Sequence, residues 1–365
     1  MYQFVLILIW LGLMYYVTSK KNVRQYEEIN EKIVRRYRIG FSVFVFVPII
    51  LMVGLRPLTI GDTWGYYSSF RAMPTSIFKL PAFLGTVAKD KGFTVLSAII
   101  KMFVGGNYTF YFLIIAILQA GCLILIYRKY SINYLFSIAL FVLSTDYICW
   151  MFNGMRQFLA VAVVFGATTL MLKKKYGALL FVIIIASTFH QSALLMIPFV
   201  LIAQGKAWNK WTIFFITAAI IAVVFVGEFT GFLDTALADT QYKNVVSDFQ
   251  SFDDDGTNPI RVLIYSIPTV LAFVRRDVIR RTDDKMIHFC TNMSIISSAL
   301  YVVSMFTSGI YIGRLPIYAS LYNYILLPWE IEHFFTRSSR RIVYIALLGG
   351  YLGYYFLQLL QWGFI

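Results

Sequence analysis

Eleven apolar stretches, most of them separated by short loops rich in lysine and arginine, constrain this chain more than any other feature. They cover residues 2–18, 39–55, 107–127, 132–149, 155–172, 178–203, 211–227, 261–275, 287–307, 315–329 and 342–361. About 20 apolar residues in a helix cross a hydrocarbon core. Within lipid, only helices and closed barrels satisfy every backbone polar group, and unbroken apolar runs favour helices over the alternating strands of a barrel. With 59% hydrophobic and 14% charged residues, the sequence predicts an all-α polytopic integral membrane protein with about 11 transmembrane segments. The 365 residues read as a single transmembrane domain. Stretch 2–18 has no basic region before it and no small-residue cleavage site, so it reads as a retained span. A shorter amphipathic stretch, 92–104, carries Lys101 and reads as interfacial or re-entrant.

The net charge of +14 calls for no nucleic acid partner, because the basic residues cluster in short loops, as the positive-inside rule expects. Lys20 to Arg38 holds seven Lys/Arg and reads as cytoplasmic. Arg128, Lys129 and Lys173 to Lys175 then fall on the same side. A single crossing by 178–203 would place the arginine-rich loop 276–285 outside. A broken or re-entrant hairpin with its apex near His190 removes that conflict. Each arm of about 12–14 residues would reach roughly 20 Å, too short for a full crossing. On this reading 56–106 and the acidic stretch 228–260 are external, periplasmic loops, and four polar clusters share the external side. Cys122, Cys149 and Cys290 show no paired spacing, and His190, His288 and His333 form no ligand cluster, so no metal or other cofactor is expected. Asp253 to Asp255 before Gly256 lack the bidentate glutamate of a calcium loop.

Each external cluster has a chemical reading and a plainer one. In Asn153-Gly154-Met155-Arg156-Gln157, Asn153 reads as the N-cap of the next apolar helix, with Arg156 in its first turn. A cation at the positive end of a helix makes sense if both hold an anionic ligand. The plainer reading is an arginine snorkelling to headgroups. Arg56-Pro57 opens a turn-rich stretch in which Asp62 precedes Trp64 and Tyr66, a base beside aromatic platforms for sugar rings, or else a helix cap among interfacial aromatics. His190 and Ser192 interrupt an aliphatic run. A histidine there acts as a base, donates to phosphate, or merely bonds between helices. Gly313-Arg314 before Pro316 and Tyr318 repeats the arginine-before-helix pattern. Guanidinium groups from Arg56, Arg156 and Arg314 on one side suit a diphosphate.

Four motifs in this order resemble the EpsG-like, Wzy-type bacterial polysaccharide polymerases of the O-antigen, capsule and exopolysaccharide systems. They are Arg56-x4-Gly61-Asp62-x3-Tyr66, Asn153-x2-Arg156-Gln157, Phe189-His190-x-Ser192-Ala193, and Gly313-Arg314 with Tyr318. Members often carry glutamate before the glycine-aromatic pair of the first loop. This chain has Asp90-Lys91-Gly92-Phe93, so any acidic role there passes to Asp90. The resemblance implies a GT-C-like, metal-independent glycosyltransferase of the bacterial inner membrane with its active site facing the periplasm. It would move a growing glycan from undecaprenyl diphosphate onto a lipid-linked oligosaccharide repeat unit. Membrane lipids and a chain-length regulator would be its other partners. Arg156 and Arg314 would stabilise the leaving diphosphate, and Asp62 or His190 would take the acceptor's proton. Arg56, Tyr66, Asn153, Gln157 and Tyr318 would bind substrate. The competing readings are an O-antigen ligase-like enzyme and a lipid-linked oligosaccharide flippase or transporter.

Overall fold

The computed structural model describes residues 2–21, 23–29, 32–236 and 256–363. Most of the acidic stretch 228–260, including Asp253 to Asp255, lies outside the described residues. The described chain is largely helical and forms two compact units, residues 1–194 with 345–365, and residues 195–344.

The first unit begins with α1 (Tyr2–Lys20), an antiparallel hairpin of β1 (Arg24–Ile29) and β2 (Lys32–Tyr37), and α2 (Ile39–Gly54). The hairpin corrects the reading of 20–38 as a plain basic loop in an all-α chain. In β1 and β2, Tyr26, Ile29, Ile33, Val34 and Tyr37 are interspersed among the charges, and such β-branched and aromatic residues favour a pleated ladder. The stretch after α2 that the sequence reads as an external loop is itself helical: α3 (Thr63–Ala72), α4 (Leu80–Thr86) and α5 (Lys91–Val104). Then come α6 (Tyr108–Tyr130), α7 (Tyr134–Leu143), α8 (Asp146–Phe152), α9 (Met155–Gly166), α10 (Thr168–Leu172) and α11 (Tyr176–Phe189). Asn107 starts α6 by accepting from the Thr109 and Phe110 N–H groups, and Asn133 starts α7 through the Phe136 N–H. Helix α6 packs against both α2 and α9, and α9 also carries α11. Stacked and tilted rings of Phe141, Tyr147, Tyr127, Phe158 and Phe165 fill the interior.

The second unit holds α12 (Met196–Ala203), α13 (Lys210–Val224), α14 (Val226–Ala236), α15 (Pro259–Val274), α16 (Arg276–Arg281), α17 (Lys285–Met305), α18 (Ile317–Ser320), α19 (Asn323–Phe334) and the start of α20 (Arg337–Gln361). Its axis is α17, on which α12, α13, α15, α18 and α19 all pack.

Every apolar stretch expected from the sequence is helical, but many are not single straight spans. Among the described residues, four helices are long and apolar enough to cross a membrane, or up to six if each strongly bent pair counts as one. The pair α7–α8 bends by 69° at Ser144-Thr145, and α13–α14 by 105° at Phe225. Stretch 178–203 is broken at His190, as expected: α11 ends at Phe189, His190 is extended, and Gln191–Leu195 form a 3-10 turn before α12. Within its own unit, each arm has its own partners, α9 and α5 for α11, α17 and α13 for α12.

Candidate functional site

The site grows from a small hydrophobic core at one end of the first unit. Phe70 from α3, Leu80 from α4, Phe93 from α5, Tyr111, Phe112 and Ile115 from α6, and Met155 and Leu159 from α9 pack together, with Tyr66 and Phe189 against them. Lys101 fixes the end of α3 by donating to the Arg71 and Met73 carbonyls, at 2.7 and 2.5 Å. Five elements are thereby held with their polar ends side by side.

Arg56 lies under this arrangement, 2% exposed. Its guanidinium donates to the Met151 carbonyl at 2.8 Å and packs 4.2 Å from the centroid of the Phe112 ring. Burial lowers its pKa to about 10, so it stays charged at neutral pH and braces the end of α8 from beneath.

Asn153 corrects an expectation. It is not the N-cap of α9, which starts after Gly154 without a side-chain cap. Its Oδ1 instead accepts from the Asp62 backbone N–H at 3.3 Å, and its carbonyl accepts from the Tyr66 hydroxyl at 2.9 Å. Gly61 has φ +48°, and a Cβ there would lie 1.7 Å from Asn153 Oδ1. Only glycine lets the loop approach so closely. Asp62 is consequently held beside the start of α9, with its side chain exposed.

Arg156 extends from the first turn of α9, its guanidinium 5.9 Å from the centroid of the Tyr66 ring. It pairs with Asp90 at 2.8 Å, with side-chain exposures of 36% for the arginine and 5% for the aspartate. The arginine therefore keeps open N–H edges while the acid behind it is covered. Burial pushes the Asp90 carboxyl above its ordinary value, outweighing the opposite pull of Arg156 and Lys89. Asp90 also has φ 57°, a left-handed conformation that aspartate tolerates better than most residues. Two residues on, Gly92 lets α5 meet α11: a Cβ there would lie 1.9 Å from Thr188 Oγ1. That approach brings the break at His190 to the same cluster. Gln157 donates to Ser192 Oγ at 3.4 Å, and Ser192 Oγ lies 2.7 Å from His190 Nδ1.

The first three motifs thus converge within one unit, and Asp90 joins them. Arg314 and Tyr318 belong to the other unit. Arg314 is exposed and ends a 3-10 turn, Ile312–Arg314, while Tyr318 is buried at 2% exposure. Their turn is tight against the start of α15, for a Cβ on Gly313 would lie 2.6 Å from Thr257 Oγ1.

The EpsG family model matches residues 39–364. The chain belongs to the EpsG family. The match takes in all four motifs and both units, and it links the chain to polysaccharide polymerases, which are glycosyltransferases. No curated protein and no solved structure matches the chain. Among the described residues, no three His, Cys, Asp or Glu side chains are grouped to hold a metal ion.

Proposed function

We propose that this EpsG-family protein polymerises a polysaccharide by moving a growing glycan from undecaprenyl diphosphate onto the next lipid-linked repeat unit. The single observation that carries this reading is the convergence of Asp62, Tyr66, Arg156 and His190, each tied in by a separate contact, around a half-exposed arginine at a helix start. A diphosphate leaving group needs exactly such cationic and N–H stabilisation as charge develops on it.

The step forms a bond from the acceptor hydroxyl oxygen to the anomeric carbon. The bond from that carbon to the diphosphate oxygen breaks, and its electron pair leaves with the lipid diphosphate. Arg156 meets the departing charge through its open N–H edges, while Asp90 fixes its position. Ser192 Oγ accepts from Gln157 and lies 2.7 Å from His190 Nδ1. In this reading His190 donates to phosphate and Asp62 is the base for the acceptor hydroxyl. For Arg314 and Tyr318 a substrate role rests on the motif they carry, Gly313-Arg314 with Tyr318. Asn153 and Gln157 hold the site in register.

The basic-loop pattern favours an active site on the periplasmic side of the bacterial inner membrane. The eleven helical stretches, several of them broken, suit a GT-C-like enzyme whose lipid substrate enters from the bilayer. A chain-length regulator is a further partner. The test is purified protein in proteoliposomes given undecaprenyl-diphosphate-linked repeat units. A ladder of lipid-linked products supports polymerisation. Transfer of chains to a different acceptor would mean ligation, and units that only cross the bilayer would mean transport.

A further inference from the structure

Helix α3 turns one face to the core and leaves the other open. It buries Thr63 and Phe70 and half-buries Tyr66 and Tyr67. At about 100° per residue, the opposite arc runs from Arg71 and Trp64 through Ser68, Gly65 and Ser69 to Asp62 at the helix start, and all six are exposed. Ala72 supplies the one aliphatic side chain on that arc. A helix lying among lipid headgroups would show leucine, isoleucine or phenylalanine there. The turn that follows α3 does so, with Ile77 and Phe78 exposed by 53% and 91%.

Two aromatic residues follow Asp62 closely, and the structure employs them differently. Tyr66 belongs to the framework of the site: its hydroxyl donates to the Asn153 carbonyl, and its ring lies against Phe93 and Arg156. Trp64 is 59% exposed and is steadied from one side. Its ring centroid lies 5.4 Å from that of Tyr67, and Tyr67 meets Tyr108 of α6 at 5.1 Å. Beside Trp64, Gly65 leaves a step with no side chain, and a Cβ there would meet no atom within 4 Å. A pyranose ring has an apolar C–H face and a rim of hydroxyls. A fixed, open indole accepts the face, while serine, aspartate and arginine bond the rim. We infer that Trp64 is the platform on which a sugar ring of the oligosaccharide repeat unit stacks, with its hydroxyls turned along α3 toward Asp62. That this sugar is the acceptor rests on the polymerase reading, in which Asp62 is the base; the stacking itself does not.

The probe is the repeat-unit oligosaccharide freed from its lipid diphosphate by mild acid, so that neither bilayer nor Arg156 holds it. It is titrated onto the protein in phosphatidylcholine nanodiscs and read by saturation-transfer NMR. Trp64→Ala and Trp64→Leu should each weaken binding at least fivefold, while Trp64→Tyr stays within about twofold of wild type. Gly65→Leu fills the bare step and should weaken binding at least threefold with the thermal midpoint kept. In proteoliposomes, with lipid-linked polymer as saturating donor, Trp64→Leu should raise KM for single lipid-linked units by a similar factor and leave kcat within about twofold. An oligosaccharide that does not bind wild type, or binds Trp64→Leu equally well, would make Trp64 an interfacial anchor and overturn the inference. Sugar binding with these effects but no polymer from the wild type would leave the platform standing and sink the polymerase reading instead.

Discussion

The two units use polar residues differently. In the first, charged and polar groups gather at helix ends and partly face outward: Arg156 is 36% exposed over a covered Asp90, and Asp62 is open. In the second, the polar residues run along the buried axis helix α17. His288, Asn292, Ser294 and Ser304 are all covered, and their partners are backbone groups and hydroxyls of the same unit. Asn292 alone holds the Ala203 and Lys206 carbonyls and the Trp208 N–H. The first pattern suits the ligand site proposed above; the second is that of hydrogen bonds holding helices together in an apolar medium.

The comparison breaks most visibly if the largest expected effect is missing. Arg156→Ala should lower polymerisation about 10²–10³-fold, the usual cost of one lost donor to developing charge, measured on the folded fraction because Asp90 loses its partner. A normal product ladder would return Arg156 to a headgroup anchor. His190→Ala should cost about 10²-fold, while His190→Gln, which keeps a donor, should recover part of the rate and Asp62→Asn should not. Equal loss in His190→Gln and Asp62→Asn would instead make the imidazole the base.

In the second unit the effects should appear in stability. Asn292→Ala leaves two carbonyls and an N–H unpaired and should cost about 2–3 kcal/mol in the unfolding free energy, with the surviving folded enzyme fully active. Glu330 tests the same distinction from the other side. It is wholly buried on α19, with neither carboxylate oxygen hydrogen-bonded. Burying such a group costs stability, so Glu330→Leu should be neutral or stabilising by about 1–2 kcal/mol and should keep its turnover. A folded but inactive Glu330→Leu protein would show that the second unit carries chemistry.

The smallest effect concerns Asp90. Its carboxyl is pushed up by burial, so the folded state binds its proton more tightly than the unfolded state. As pH rises through the ordinary aspartate value of about 3.9, the unfolded chain ionises first and stability falls until the folded carboxyl also ionises. Asp90→Asn should remove that fall, read as a flatter profile of thermal midpoint against pH. An unchanged profile would mean that Asp90 is not covered in solution.

How legible these features were depended on the physics behind each. Apolar runs are read directly, because membrane thickness sets their length, and all of them are helices. Where they break is less legible. His190 was visible as a polar interruption, but the bend at Thr145 has φ 63° in a residue that does not advertise it. Asn153 was misread because capping preference is local, whereas its amide serves a loop 91 residues earlier in the chain. The hairpin at 24–37 was hidden by its charge, which suggests a loop more strongly than the scattered tyrosine, valine and isoleucine suggest strands. Asp90 was flagged only by the likeness to related polymerases. Its pairing with Arg156 depends on the Gly92–Thr188 approach, which no spacing rule contains.

The central claim is that the cluster around Arg156 receives a lipid diphosphate. The direct measurement is binding of undecaprenyl diphosphate to the purified protein in nanodiscs, compared between wild type and Arg156→Ala. The account predicts at least tenfold weaker binding in the variant, with competition by pyrophosphate in the wild type. Equal affinity in the two proteins would contradict it.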